Sequence, residues 1–208
     1  MPRISLLPLL IFMQPAMACA SEAYFPPRYA QLTFTCPWND GPEARPIEFL
    51  GKLEQDWFSS QLAAAKEPSL YAATLSGTPR RVIRFTWLRS FHPGITVRVE
   101  EDADHTWRVT AKQLSGAGGY EPGHVAKTAN RKLDADEAEA LVSLLGKEDL
   151  PDETGDCTIG MDGAQWIIER TDDQGYHFIN RWSPSSGPLR KVGLFLLGLT
   201  HWNPRPIY

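Results

Sequence analysis

Apolar residues change their spacing several times along this chain, and each change predicts an element. Between 47 and 66, Leu50, Leu53, Trp57, Gln61/Leu62 and Ala65 recur at intervals of three and four. That stretch reads as a helix bounded by Pro68. In 81–89 (RVIRFTWLR) the period falls to two: Ile83, Phe85 and Trp87 share one face, with Arg84 and Thr86 on the other. Ile95, Val97 and Val99 alternate with Thr96, Arg98 and Glu100, and Trp107, Val109 and Ala111 with Arg108, Thr110 and Lys112. The intervening His92-Pro93-Gly94 and 102–105 are turns, so the three strands form an antiparallel meander.

Downstream, 115–123 (SGAGGYEPG) holds four glycines and reads as a flexible loop. Residues 124–132 are polar on both faces, as an edge strand would be. Asp134 then opens a helix by capping its first amides, and Glu137 reaches back to close a capping box. Leu141, Leu144 and Leu145 supply its buried stripe, and Gly146 its stop. The segments 165–171 (QWIIERT) and 176–182 (YHFINRW) read as a hairpin joined through Asp172-Asp173-Gln174-Gly175, a type I turn with Gly175 in the left-handed position. That register sets Trp166 opposite Trp182, Ile168 opposite Asn180 and Arg170 opposite Phe178. Apolar and polar groups mix on both faces, which calls for cover on both sides. Val192, Phe195, Leu196 and Leu199 share one face of a last helix over 188–199. The fold class is α+β: an antiparallel sheet of five or six strands, meander plus C-terminal hairpin, with about three packed helices.

The ends of the chain organise differently. Residues 1–20 carry Arg3, an apolar stretch from Ile4 to Met13 and then small residues, the layout of a secretory signal peptide. Cleavage fits after Ala20 or after Ala18. A ten-residue apolar run, interrupted by Pro8, is too short to span a bilayer, which takes about 20 residues. Cys19 leaves a second possibility, a lipid anchor, although Ala16 and Met17 match a lipoprotein signal poorly. Residues 21–46 contain five prolines and read as an irregular extension. One domain covers 47–208.

Composition narrows the partners. With 21 Lys+Arg against 25 Asp+Glu the net charge is −4, and removing residues 1–20 takes one arginine and makes it −5. No excess of cations exists to displace counterions from phosphate, so a nucleic-acid partner is not expected. The processed chain keeps Cys36 and Cys157. In an oxidising compartment such a pair bonds, which would tie the extension to the loop before the last hairpin; two free buried thiols are the alternative. Zinc spacing is missing.

The hairpin also carries a resemblance. Asp162-Gly163-Ala164-Gln165-Trp166, then Tyr176-His177, then Arg181-Trp182-Ser183-Pro184 and a Leu-rich helix resemble a group of uncharacterised exported bacterial proteins. The strand 84–89 and the loop 116–119 are similar to that group as well. The resemblance implies export and a single domain, and attaches no activity.

Candidate chemistry is sparse. No G-x-S-x-G or H-E-x-x-H occurs, and no cofactor is implied. The acidic stretch Asp149, Asp152, Glu153, Asp156 and Asp162 offers oxygens to calcium, but without an EF-hand pattern it reads as a solvated loop. Glu169 could pair with Glu100 or Glu101 as glycosidase carboxylates, or form a cross-strand ion pair. These absences point to a non-catalytic binding protein for a protein or envelope component. The alternative is a small envelope hydrolase assembled from residues such as His177, Glu169 and Tyr120. Trp, Tyr and Arg dominate binding hot spots. Arg84, Arg89 and Arg181 are therefore the expected contact residues, exposed enough that removing them leaves folding intact, with Trp87 and Trp182 in the core.

Overall fold

The structure, a computed structural model, describes residues 23–39, 41, 44–77, 81–158 and 160–208. The expected signal peptide, its expected cleavage points and Cys19 lie outside the described residues. The chain folds as α+β around a six-stranded antiparallel sheet. In chain order the elements are β1 (Thr33–Phe34), β2 (Ile47–Glu48), α1 (Lys52–Ala64), α2 (Leu70–Leu75), β3 (Val82–Arg89), β4 (Ile95–Glu101), β5 (Trp107–Leu114) and β6 (Val125–Lys132). There follow α3 (Ala135–Lys147), β7 (Ala164–Asp172), β8 (Gly175–Trp182) and α4 (Pro188–Gly198). The large sheet runs β6-β5-β4-β3-β7-β8, and β1 pairs with β2 in a small sheet of its own. The connection through α3 therefore carries the chain from the β6 edge back to the other side of β3.

The two-residue period places the sheet faces as expected, and both are covered. Phe85, Trp87, Val97, Val109, Trp166 and Ile168 form one core with Leu141 of α3 and Val192 and Leu196 of α4. On the opposite face Leu88, Ile167 and Phe178 pack with Phe25, Tyr29 and Phe49 of the N-terminal segment and Phe58 and Leu62 of α1. Burying an aromatic or aliphatic side chain of this kind stabilises by roughly 1.5–3 kcal/mol, so the hairpin is held from both sides.

Four local expectations change. The first helix starts at Lys52, because Ile47–Glu48 pairs with Thr33–Phe34 and Gly51 caps the helix, donating its N–H to Glu54 Oε2 at 3.2 Å. Its buried stripe is Phe58, Gln61 and Leu62, while Leu53 is 83 % exposed. The short helix α2, capped by Ser69 Oγ accepting the Ala72 N–H, is invisible to apolar spacing. The hairpin slips by one residue: Trp166 faces Arg181, Ile168 faces Ile179 and Arg170 faces His177. The tighter connection through Asp173 and Gln174 wins because Gly175, at φ +119°, absorbs the turn inside the strand end. Finally, the glycine loop is pinned. Gly118 donates to His92 O at 2.9 Å and accepts from Trp57 Nε1 at 2.6 Å and Gln61 Nε2 at 3.1 Å. A Cβ on Gly118 would lie 2.6 Å from Arg89 N, so only glycine lets the loop seat this closely.

Candidate functional site

Of the three arginines expected at a contact surface, Arg84 and Arg89 are buried and Arg181 is half-buried. Arg84 is 0 % exposed and donates Nε and Nη2 to the Glu169 carboxylate at 2.8 and 2.7 Å, with Nη1 on Pro68 O at 2.6 Å. Tyr176 Oη donates to Glu169 Oε1 at 2.9 Å. Buried Glu67, 3.8 Å from Arg84, also takes Arg98 at 2.9 Å and Lys112 at 2.7 Å. Burial works against the Arg84 charge, but Glu169 and Glu67 more than offset it and raise its pKa. Burial beside Glu169 drives the Tyr176 phenol well upward.

Arg89, 3 % exposed, stacks 4.5 Å over Trp87 and donates to Pro93 O and Arg205 O, fastening the C-terminal tail. Arg181 is half-buried and donates to Thr154 O at 2.9 Å and Thr154 Oγ1 at 2.6 Å. Covering segments bring carboxylates and carbonyls to Arg84 and Arg89, so these two lack the exposure expected of them.

The residues named for hydrolysis are not brought together. Glu169 is sealed under Arg84 and Tyr176. His177 projects to the other face of the sheet and bonds Asp152 and Asp172. Tyr120 stacks on exposed Phe91. Glu100 is held by Arg98, and Glu101 lies beside Arg81 and His105.

The acidic stretch is bonded to the edge of β8. Asp152 Oδ1 accepts the Phe178 N–H at 2.7 Å, Asp156 Oδ2 accepts the Trp182 N–H at 2.5 Å, and Glu153 donates its own N–H to Phe178 O. These groups occupy the outer edge of β8 much as another strand would, which removes an open edge. Glu153 also pairs with Arg28. Among the described residues no cluster of His, Cys, Asp and Glu has the arrangement of a metal site. The stretch is stapled by a Cys36–Cys157 disulfide with Cα atoms 5.5 Å apart.

That staple builds a groove of about 740 Å³ between α1 and the acidic stretch, with β7 and β8 as its floor. Phe34 lies flat on Gly155, where a Cβ would meet the ring at 2.4 Å, and Trp182 lies against Gly160 and Gly163 in the same way. Trp182, expected in the core, is thus a half-buried wall. Glu48, Glu54 and Asp156 contribute carboxylates. Glu48 closes over Gly51, where a Cβ would come within 2.5 Å of its Oε2. Burial, reinforced by Glu48 and Asp156, raises the Glu54 pKa against the pull of the Gly51 N–H.

On the floor, Gln165 is 6 % exposed and Asn180 4 % exposed, and neither side-chain amide has a hydrogen-bonding partner among the described residues. Neither amide is among the fully buried unpaired side-chain atoms of the described residues, so both reach the open groove and can bond what enters it. The sequence held a signal that could have found them: two amides near the strand ends, on the face that Ile167 and Phe178 make apolar. It was masked by the one-residue slip of the hairpin.

Among the described residues no helix is long and apolar enough to cross a membrane. No family model matches the chain, and no curated protein or solved structure matches it either.

Proposed function

We infer that the chain is an exported binding protein, acting without catalysis, whose ligand sits in the groove between α1 and the stapled acidic stretch. The observation that carries this reading is the pair of side-chain amides lining the groove floor, Gln165 and Asn180, which have no hydrogen-bonding partner among the described residues and reach the open groove. Ligand sites are concave, largely apolar and furnished with a few convergent polar groups, and this groove has aromatic walls around those amides. Export is supported by the signal-like residues 1–20, the disulfide and the resemblance to exported proteins. The test of the site is a fragment screen by NMR on the oxidised chain. Fragments that shift the side-chain NH₂ signals of Gln165 and Asn180 sustain the assignment, and a library that leaves both untouched refutes it. Export is tested by mass spectrometry, where a terminus near residue 19 or 21 is expected and an intact Met1 overturns it.

A second reading, hydrolysis, is favoured by one observation: Glu54 has a raised pKa beside Glu48 and Asp156, the environment that suits a general acid. Turnover of a glycoside that is abolished in Glu54→Gln would establish it.

A further inference from the structure

We propose that the groove takes pyranose units of a neutral glycan, which rests on the reading of this groove as the ligand site and specifies what occupies it. The floor supplies the first match. A carboxamide offers both a donor pair and an acceptor, and a sugar hydroxyl is likewise donor and acceptor at once. Trp182 is the cross-strand partner of Gln165, so Asn180 is its diagonal neighbour on the same face of the hairpin. That places the two amides roughly 7 Å apart along the sheet, enough to engage separate hydroxyls of one ring or of adjoining rings.

The walls complete the match. Trp57, Trp182 and Phe34 present large apolar rings to the groove. A pyranose needs such surfaces for its C–H faces while its rim hydroxyls reach polar groups. Glu48, Glu54 and Asp156 add acceptors for further O–H donors.

Other ligand classes fit less well. The lining carries one cation, Lys52, against the carboxylates of Glu48, Glu54 and Asp156, so its net charge is negative and disfavours an anion. A wholly apolar ligand would leave both amides unpaired. A bare metal ion finds no suitable cluster among the described residues. A cationic peptide satisfies the carboxylates but has no use for the donor halves of the amides beyond its backbone carbonyls, which makes it the competitor to be tested.

The experiment titrates the oxidised chain with cellotetraose, maltotetraose and chitotetraose, and separately with tetralysine, following the side-chain NH₂ signals of Gln165 and Asn180. At least one neutral tetrasaccharide is expected to shift both amides saturably. Gln165→Ala and Asn180→Ala should each weaken that binding about 5- to 10-fold, the equivalent of one or two hydrogen bonds. Trp182→Leu should weaken it through the wall. The mapping is made on the unaltered chain, so it holds even where a variant misfolds. Shifts produced by tetralysine alone overturn the glycan assignment and leave the groove a ligand site. The glycan assignment falls in the same way if unrelated fragments shift the amides and no saccharide does. Saccharide shifts confined to another surface, such as the Phe91–Tyr120 pair, overturn it as well. Silence from every saccharide, peptide and fragment defeats both this assignment and the binding site on which it rests.

Discussion

Removing Arg84 separates the two pictures of this protein most sharply. If its guanidinium were a surface contact, Arg84→Ala would cost at most about 1 kcal/mol, as exposed charges do. In the structure the change deletes two bonds to Glu169 and one to Pro68 O at full burial. Glu169 keeps Tyr176 alone as a donor, inside the fold. Breaking a buried pair by removing one partner costs roughly 3–5 kcal/mol. With a urea slope of about 2–3 kcal/mol per molar, the midpoint should fall by roughly 1–2.5 M.

A control uses the same physics in reverse. Arg84→Met, Glu169→Leu and Tyr176→Phe together remove the charges and the orphaned phenol, leaving Glu67 to Arg98 and Lys112. Replacing a buried ion pair by apolar groups of similar volume is often neutral, so the triple variant should recover most of the loss. Equilibrium unfolding in urea, followed by tryptophan fluorescence with the disulfide intact, measures both. A single variant that loses under about 1 kcal/mol, or a triple variant no more stable than the single, refutes the assignment of Arg84 to a buried, interdependent cluster.

Cys36→Ser/Cys157→Ser frees the edge cover of β8, so the Phe178 and Trp182 amides should exchange with deuterium much faster than in the bridged chain, and unchanged protection would show that Asp152 and Asp156 hold the edge unaided. The bridge joins residues 121 apart, for which chain entropy gives about 4–5 kcal/mol, measurable as a lower unfolding midpoint on reduction. Gly118→Ala drives a Cβ into the β3 backbone and should cost about 1–3 kcal/mol, read by thermal unfolding. The Arg131 hydrogen bonds hold the Glu137 pKa down to about 2. A depressed carboxylate gives its stability above the unfolded pKa of about 4.3 and loses it as the pH falls toward about 2. Glu137→Gln should therefore flatten the acid limb of a stability profile between those values, by under about 1 kcal/mol for this partly solvated pair.

Alternation alone was enough to place Ile83, Phe85 and Trp87 together, to set β3, β4 and β5 as a meander, and to start α3 at Asp134. These are local properties: a strand turns successive side chains to opposite faces, and a cap satisfies amides within one turn. The pairing of Cys36 with Cys157 was legible too, because setting residues 1–20 aside as a signal leaves two of the three cysteines, which admit one bond. What lay over the second face was not legible. Arg84, Thr86 and Arg98 read as a solvated stripe, yet the chain from Lys66 to Leu70 closes over them and supplies Glu67 and Pro68 O. Nothing in the spacing of residues around 84 tells of a carboxylate from 67 or 169. The hairpin register depended on one residue of turn geometry, and that residue decides whether Asn180 and Gln165 share a face. The groove exists because a disulfide, two flat glycine contacts and a helix start meet from four distant stretches of chain. Local sequence sets which way a side chain points within its element, and only the packing of elements decides whether it points at water, at a counter-charge or into a site.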